Sequence, residues 1–177
     1  MPLETPGGAY PIEEHSSPNF SPSPAHACNG VCFHHTVLSF RDTIDKMLRA
    51  ESQVSYHVVI DADGRRATLV PDHRIAWHAG ASLFRGRTRC NDFLLGCAFA
   101  GDTYQAPLTE AQLASATEWL RPRWSRHHWS YDWLTDHRQI APERKNDLNP
   151  AEWDRLIAHL RRHLHDTPAQ SPRSTLP

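Results

Sequence analysis

The chain is predicted to fold as a single α/β domain with a central mixed β-sheet flanked by helices. Its 177 residues are typical of one domain. Short apolar runs that suit buried strands alternate with amphipathic segments that open with helix-start signals. Most of the 14 prolines stand near the two ends of the chain, so they indicate loose ends rather than an unusual core.

The first predicted element is a buried strand at residues 31–33, a short apolar run that leads into two consecutive histidines. Ser39 with Asp42 three positions later resembles a helix start. The apolar stripe that follows predicts a helix to about residue 51.

The middle of the chain predicts three further strands. The β-branched run 54–60 and the segment 67–70 are expected to pair through a tight turn at Asp63-Gly64. Residues 72–90 are expected to be irregular. The apolar segment 91–100 is typical of another buried strand.

The last third of the chain predicts two helices and a short strand. Thr109 with Gln112 forms a capping box before an apolar stripe. Residues 131–135 predict a strand, and residues 137–149 a loop, because they contain a proline and no periodicity. Asn149 followed by Pro150 and Glu152 is a strong helix start.

Composition and charge exclude several classes of protein. The formal net charge of −1 argues against a nucleic-acid partner, which usually requires a basic face. No apolar run approaches the ~20 residues of a membrane-spanning helix, so no membrane partner is expected. The first 20 residues lack the basic start and apolar core of a secretory signal, which favours a cytoplasmic location.

The expected organisation is a Pro/Ser-rich N-terminal segment at 1–27, one domain at 28–165 and a flexible tail at 166–177. The N-terminal segment is expected to wrap over the surface or to be mobile. The four cysteines show no C-x2-C zinc spacing and are expected to be buried, reduced thiols. A monomer is expected.

Two separated regions carry residue types that suit a metal site. His34 ends the first strand, and alternation in a strand lets only one of His34 and His35 face a given site. The loop at 137–149 holds His137, Lys145 and Asp147. Two imidazoles, one carboxylate and an open position are a catalytic zinc arrangement. The alternative from spacing alone is a surface loop that merely begins the next helix.

The chain resembles the zinc N-acetylmuramoyl-L-alanine amidases, and within them the AmpD-like enzymes. The resemblance runs from residue 34 to about residue 153, roughly two thirds of the chain. Its motifs stand in the family's order: His34-x-Thr36, Val54-Ser55-Tyr56-His57, Trp77-His78-Ala79-Gly80, Arg89-Cys90-Asn91-Asp92-Phe93 and the run from His137 to Asp147.

The resemblance implies roles for particular residues. Carried over by position, His34, His137 and Asp147 would bind Zn²⁺, and Lys145 matches the catalytic lysine. Arg89 and Asn91 match a segment that lines the substrate groove, and His35 is grouped with them as substrate-binding rather than metal-binding. The implied reaction is hydrolysis of the amide bond between the lactyl group of N-acetylmuramic acid and L-alanine. The partner would be a muropeptide or peptidoglycan.

The sequence departs from the AmpD-like pattern at one position that matters for catalysis. Where these enzymes usually have glutamate after the Asn-Asp-Phe motif, this chain has Ala98 and Ala100. Other branches of the family have a tyrosine before the histidine of the earlier strand, and Tyr56 matches it. Tyr56 is therefore expected to be the polar catalytic partner of the zinc.

Two other classes of function compete with the enzyme. A peptidoglycan-recognition module would bind the same ligand without cleaving it, but such relatives commonly lose a metal ligand, and all three ligand positions are filled here. A structural zinc protein is disfavoured because closed zinc sites prefer four Cys or His ligands.

Overall fold

The protein was analysed as a computed structural model that describes residues 10–164. Residues 1–9 and the predicted tail at 166–177 lie outside the described part. A six-stranded mixed sheet forms its centre, in the order β1 (Ile12–Glu14), β5 (Arg66–Thr68), β4 (Val58–Ile60), β9 (Leu94–Phe99), β3 (Gly30–His35) and β10 (Leu134–Asp136). Only the β4–β5 pair is antiparallel; the other neighbours run parallel. The predicted mixed α/β class with flanking helices is therefore confirmed.

The strands and helices have the following bounds. The sheet consists of β1 Ile12–Glu14, β3 Gly30–His35, β4 Val58–Ile60, β5 Arg66–Thr68, β9 Leu94–Phe99 and β10 Leu134–Asp136. Two small ribbons pair β2 Phe20–Ser21 with β6 Ile75–Ala76, and β7 Leu83–Phe84 with β8 Arg87–Thr88. The helices are α1 Phe40–Met47, α2 Glu110–His127, α3 His137–Ile140 and α4 Pro150–His163.

The two faces of the sheet are covered by different helices. Val31 and Phe33 of β3 belong to a large apolar cluster with residues of α2 and α4. On the opposite face, Ala98 packs with α1 residues such as Ile44 and Met47. The register pairs His34 with Ala98, so His34 projects toward the α1 face.

The helix-start signals correspond to the helices of the structure. The Ser39 side chain accepts a hydrogen bond from the Asp42 amide, and Thr109 and Gln112 form a reciprocal capping box. Asn149 caps α4, with Pro150 at its first position. The first predicted helix is too long, however, because α1 ends at Met47 and a 3₁₀ turn follows at Ala50–Ser52.

The boundaries of several other elements differ from the sequence-based expectation. The predicted strand at 54–60 is regular only at Val58–Ile60. The predicted loop after residue 136 begins instead with the one-turn helix α3, because the Asp136 side chain accepts from the Gln139 amide. The predicted strand at 131–135 is a 3₁₀ turn followed by β10.

The N-terminal segment is integrated into the fold from residue 10 onward. β1 extends the sheet by pairing with β5. The Asn19 side chain is 1 % exposed. Its amide nitrogen lies 2.9 Å from the Arg49 carbonyl and 3.1 Å from the Val54 carbonyl. The segment therefore holds the loop that leads from α1 to Tyr56.

Two other expectations can be compared with the described residues. None of the helices within residues 10–164 is long and apolar enough to cross a membrane. All four cysteines are free thiols. Three of them are buried, whereas Cys28 is half-buried.

Candidate metal centre and groove

The register of the sheet brings His34 and His137 together. β10 pairs with β3 so that Asp136 lies opposite Phe33. The next residue in the chain is a histidine in both cases, His34 within β3 and His137 at the start of α3. The two Nδ1 atoms are 3.0 Å apart. Both rings are buried, so they meet at the end of the sheet rather than in open solvent.

Asp147 is brought to the same point by the segment between α3 and α4. Its backbone carbonyl accepts a hydrogen bond of 2.6 Å from the Arg138 amide. The next residue, Leu148, is fully buried in the main apolar cluster, which anchors the segment. The carboxylate oxygens then lie 3.3 Å from Nδ1 of His34 and 3.5 Å from Nδ1 of His137.

The hydrogen bonds assign the tautomer of each ring. Nε2 of His137 is 3.1 Å from the Ala79 carbonyl, which can only accept, so Nε2 carries the proton. Nε2 of His78 likewise donates to the Leu94 carbonyl at 2.8 Å. The remaining His78 nitrogen, Nδ1, therefore accepts from Nε2 of His34 at 3.0 Å. Neutral His34 and His137 thus each direct an Nδ1 lone pair toward the other and toward Asp147.

The electrostatics of this cluster suit a cation. Burial, reinforced by the neighbouring His137, lowers the pKa of His34 to about 4, so the ring is neutral near pH 7. Two lone pairs and a carboxylate converge without a donated hydrogen between them. Their ligand atoms all lie within 4.8 Å of one another, and this donor set fits zinc.

A groove of about 310 Å³ opens beside the cluster, and both predicted catalytic residues line it. The Lys145 side chain is exposed, and no side chain among residues 10–164 forms an ion pair with its ammonium group. The half-buried Tyr56 ring lies 5.1 Å from the His34 ring. Burial raises the pKa of Tyr56 above its ordinary value, so its hydroxyl remains protonated and can donate a hydrogen bond.

The position of the absent glutamate is occupied by a small apolar side chain. Ala98 is fully buried and packs with α1 and with Tyr56. It is the register partner of His34 on β9. No carboxylate from this strand therefore reaches the cluster.

The three residues expected to bind substrate lie in different environments. His35 lines the groove, and its Nδ1 accepts from the Thr103 amide at 3.1 Å. Arg89 is exposed and forms an ion pair with Asp92 at 2.9 Å. The Asn91 carbonyl oxygen accepts from the backbone amides of residues 78 and 79. The structure places neither Arg89 nor Asn91 in the wall of the groove; Asn91 fixes a turn instead.

The structure also brings His78 into direct contact with His34. Gly96 makes this contact possible, because a Cβ atom there would come within 2.6 Å of the His78 ring. A glycine in the middle of an apolar strand is the sequence signal for such a close approach. Only the folded chain shows that His78 is the residue that comes close to Gly96.

Comparisons with known proteins agree with this architecture. The sequence profile of the N-acetylmuramoyl-L-alanine amidase family matches residues 24–151. The chain is 39 % identical over 112 residues to 1,6-anhydro-N-acetylmuramyl-L-alanine amidase AmpD of Enterobacter cloacae. This alignment covers 63 % of this chain and 59 % of AmpD. The chain thus matches less than two thirds of the length of that relative.

Two solved structures are similar across most of the fold. A crystal structure of a selenomethionine derivative of AmpD superimposes with a TM-score of 0.70 and 27 % identity, covering 90 % of this chain and 99 % of that one. AmiD of E. coli, solved with anhydro-N-acetylmuramic acid-L-Ala-D-γ-Glu-L-Lys, gives a TM-score of 0.68 at 28 % identity, covering 78 % and 60 %.

The fold and the buried His-His-Asp cluster define the class as an α/β protein with a candidate metal centre at the end of its sheet. The match over residues 24–151 makes the assignment more specific. This chain belongs to the N-acetylmuramoyl-L-alanine amidase family.

Proposed function

We propose that the protein is a zinc-dependent hydrolase that cleaves the amide bond between the lactyl group of N-acetylmuramic acid and L-alanine. The observation that carries the proposal is the convergence of His34, His137 and Asp147 beside a groove that His137 and Asp147 line. Their tautomers and charges suit a bound cation. We assign these three residues as the zinc ligands, and a muropeptide or peptidoglycan as the substrate.

When bound, zinc would polarise the amide carbonyl and lower the pKa of water from 15.7 toward ~7. The chain's own residues would supply the remaining interactions. The Lys145 ammonium group is exposed at the groove and is available to stabilise negative charge that develops on the carbonyl oxygen.

Tyr56 would act as a hydrogen-bond donor and not as a base, because its pKa is raised by burial. Its hydroxyl accepts or donates no hydrogen bond within residues 10–164, which leaves it available to water or substrate. Since Ala98 provides no carboxylate, we assign to Tyr56 the orientation of the attacking water or of the carbonyl oxygen.

Hydrolysis of defined substrates tests the proposal. Purified protein with zinc is incubated with anhydro-N-acetylmuramic acid-L-Ala-D-γ-Glu-L-Lys and, separately, with whole sacculi. Mass spectrometry should detect the free tripeptide or released stem peptides. Preference for the soluble fragment would favour recycling and the expected cytoplasmic location, whereas release from sacculi would indicate a lysin.

The alternative function is a peptidoglycan-binding module of the same fold. Ala98 favours this alternative, because the AmpD-like enzymes that the sequence resembles usually have a carboxylate there. Retention of the intact substrate on the protein, without any cleavage at saturating zinc, would support binding alone and would contradict the hydrolase.

A further inference from the structure

Val37 has a backbone conformation that valine rarely adopts. Its φ is 61°, in the left-handed region where a β-branched side chain crowds the backbone. Glycine enters this region at little cost. The side chain of Val37 therefore destabilises the folded backbone.

Hydrogen bonds on both sides impose this conformation. The Thr36 amide donates to the Phe99 carbonyl at 3.0 Å, and the Val37 amide donates to the Gly101 carbonyl at 2.9 Å. The Gly101 amide donates back to the Leu38 carbonyl at 2.9 Å. The turn is thus fixed against the end of β9, and the backbone cannot relax around the valine.

The packing of Val37 does not compensate for this strain, because the residue is 63 % exposed. An exposed valine at positive φ is unfavourable both for its backbone and for its hydration. Val37 also lines the groove that contains His137 and Asp147. Its side chain is therefore available to a molecule that occupies the groove.

Tyr104 presents a second exposed apolar surface on the adjoining loop. It is 46 % exposed, yet its hydroxyl donates to the Asn146 carbonyl at 3.0 Å. Its ring lies edge-on to the His35 ring, with centroids 6.1 Å apart. Both His35 and Asn146 line the groove, so Tyr104 is held in a fixed orientation at its rim.

We propose that Val37 and Tyr104 form the surface that binds the saccharide part of the substrate. This inference rests on the proposed function and adds a specificity determinant to it. The pyranose ring and the acetyl methyl group would contact the two side chains.

Charge distinguishes the saccharide from the peptide stem as the occupant. The turn 36–38 and the loop 101–104 contain no basic residue, and their only ionisable acid is Asp102. A γ-linked glutamate in the stem carries a free carboxylate, which Asp102 would repel. Lys46, which also lines the groove, suits that carboxylate. The N-acetylated sugar is neutral and suits the uncharged surface.

The test compares substrates with and without the sugar. Hydrolysis of anhydro-N-acetylmuramic acid-L-Ala-D-γ-Glu-L-Lys is measured beside that of D-lactyl-L-Ala-D-γ-Glu-L-Lys. Val37→Gly should lower kcat/KM about tenfold for the first through a higher KM, since one buried aliphatic side chain contributes about that factor. The same substitution should leave kcat/KM for D-lactyl-L-Ala-D-γ-Glu-L-Lys unchanged. Tyr104→Ala, which does not alter the strained turn, should likewise lower kcat/KM for the substrate with the sugar and not for the one without it.

A stability measurement separates contact from folding. Val37→Gly should raise the Tm by about 2–4 °C as the strain is relieved, although its activity falls. Ile12→Ala, at an exposed apolar residue on the far edge of the sheet, is the control and should keep full activity. Equal losses on both substrates, or no loss with either variant, would overturn the saccharide assignment.

Binding to metal-free protein distinguishes this inference from the proposed hydrolysis. Calorimetry with the sugar-bearing tripeptide should show a Kd about tenfold weaker for Val37→Gly than for the original chain. If that difference appears while the loaded protein cleaves nothing, the hydrolase proposal fails and the saccharide surface stands. An unchanged Kd would overturn the surface whatever the activity.

Discussion

His34 donates its Nε2 proton to Nδ1 of His78 across 3.0 Å, and this bond leaves the Nδ1 lone pair of His34 facing His137 and Asp147. His78 is held in turn by the Leu94 carbonyl. The orientation of one proposed zinc ligand thus depends on a residue that would not itself touch the metal.

Replacing His78 tests this dependence. His78→Phe keeps a ring in the space beside Gly96 but removes the acceptor for His34. We expect a 10–100-fold loss in zinc affinity or activity, measured by competition with a chromogenic chelator. Unchanged zinc affinity together with unchanged turnover would show that His34 needs no partner at Nε2.

Asp147→Ala should abolish both zinc binding and activity, because the carboxylate supplies the only negative charge in the proposed ligand set. Zinc content is measured by mass spectrometry after dialysis and should fall from about one per chain to near zero. Asp45→Ala, at an exposed position on α1, is the matched control.

Cysteine thiols can also bind zinc, so the comparison is repeated with Cys28 and Cys32 replaced by serine. If Asp147→Ala retained full zinc and turnover in that background, our ligand assignment would be incorrect.

Tyr56→Phe should keep the fold and the zinc while losing most of its turnover. Removal of one positioned donor typically lowers kcat by ~10²–10³, and KM should change little because ring packing is preserved. Steady-state kinetics at fixed zinc measures both. A kcat equal to that of the original chain would mean that Tyr56 only packs against α1.

Stability should fall as the pH drops from 6.5 toward 3, in part because of His57. Burial, with a smaller contribution from His26, lowers the pKa of His57 from 6.5 to about 3. In this window the unfolded chain binds a proton that the folded chain does not, so the free energy of unfolding decreases by up to about 1.4 kcal/mol per pH unit.

Urea unfolding at pH 7, 6 and 5 measures this slope. His57→Gln should reduce it, since glutamine does not titrate. Gln105→Ala, at an exposed residue that does not titrate, is the control and should leave the slope as it is. Identical slopes for all three proteins would contradict the assignment to His57.

The amino-acid sequence identifies the proposed metal ligands better than it identifies the residues that hold those ligands in position. Strand alternation predicts that only one of His34 and His35 faces a given site. In the structure, Nδ1 of His34 lies 3.0 Å from Nδ1 of His137, which is more than 100 positions away in the sequence. The capping signals located the starts of three helices because they act within four residues.

Features that depend on distant packing were missed. The bond between His34 and His78 requires the turn at 77–80 to fold against Gly96 of β9, which no local pattern encodes. β1 forms because residues 12–14 meet the edge of β5, and its own composition gave no such signal.

The Asn19 contacts affect which residues a functional fragment of this protein must contain. The family match starts at residue 24, after the side chain that fastens the loop before Tyr56. A fragment that begins at residue 24 would keep every proposed zinc ligand but would lose the contacts of Asn19 with the loop before Tyr56. Transplanting residues 24–164 into a chimeric lysin would therefore transfer the metal centre with a loosened groove wall, whereas a graft of residues 10–164 would transfer both together.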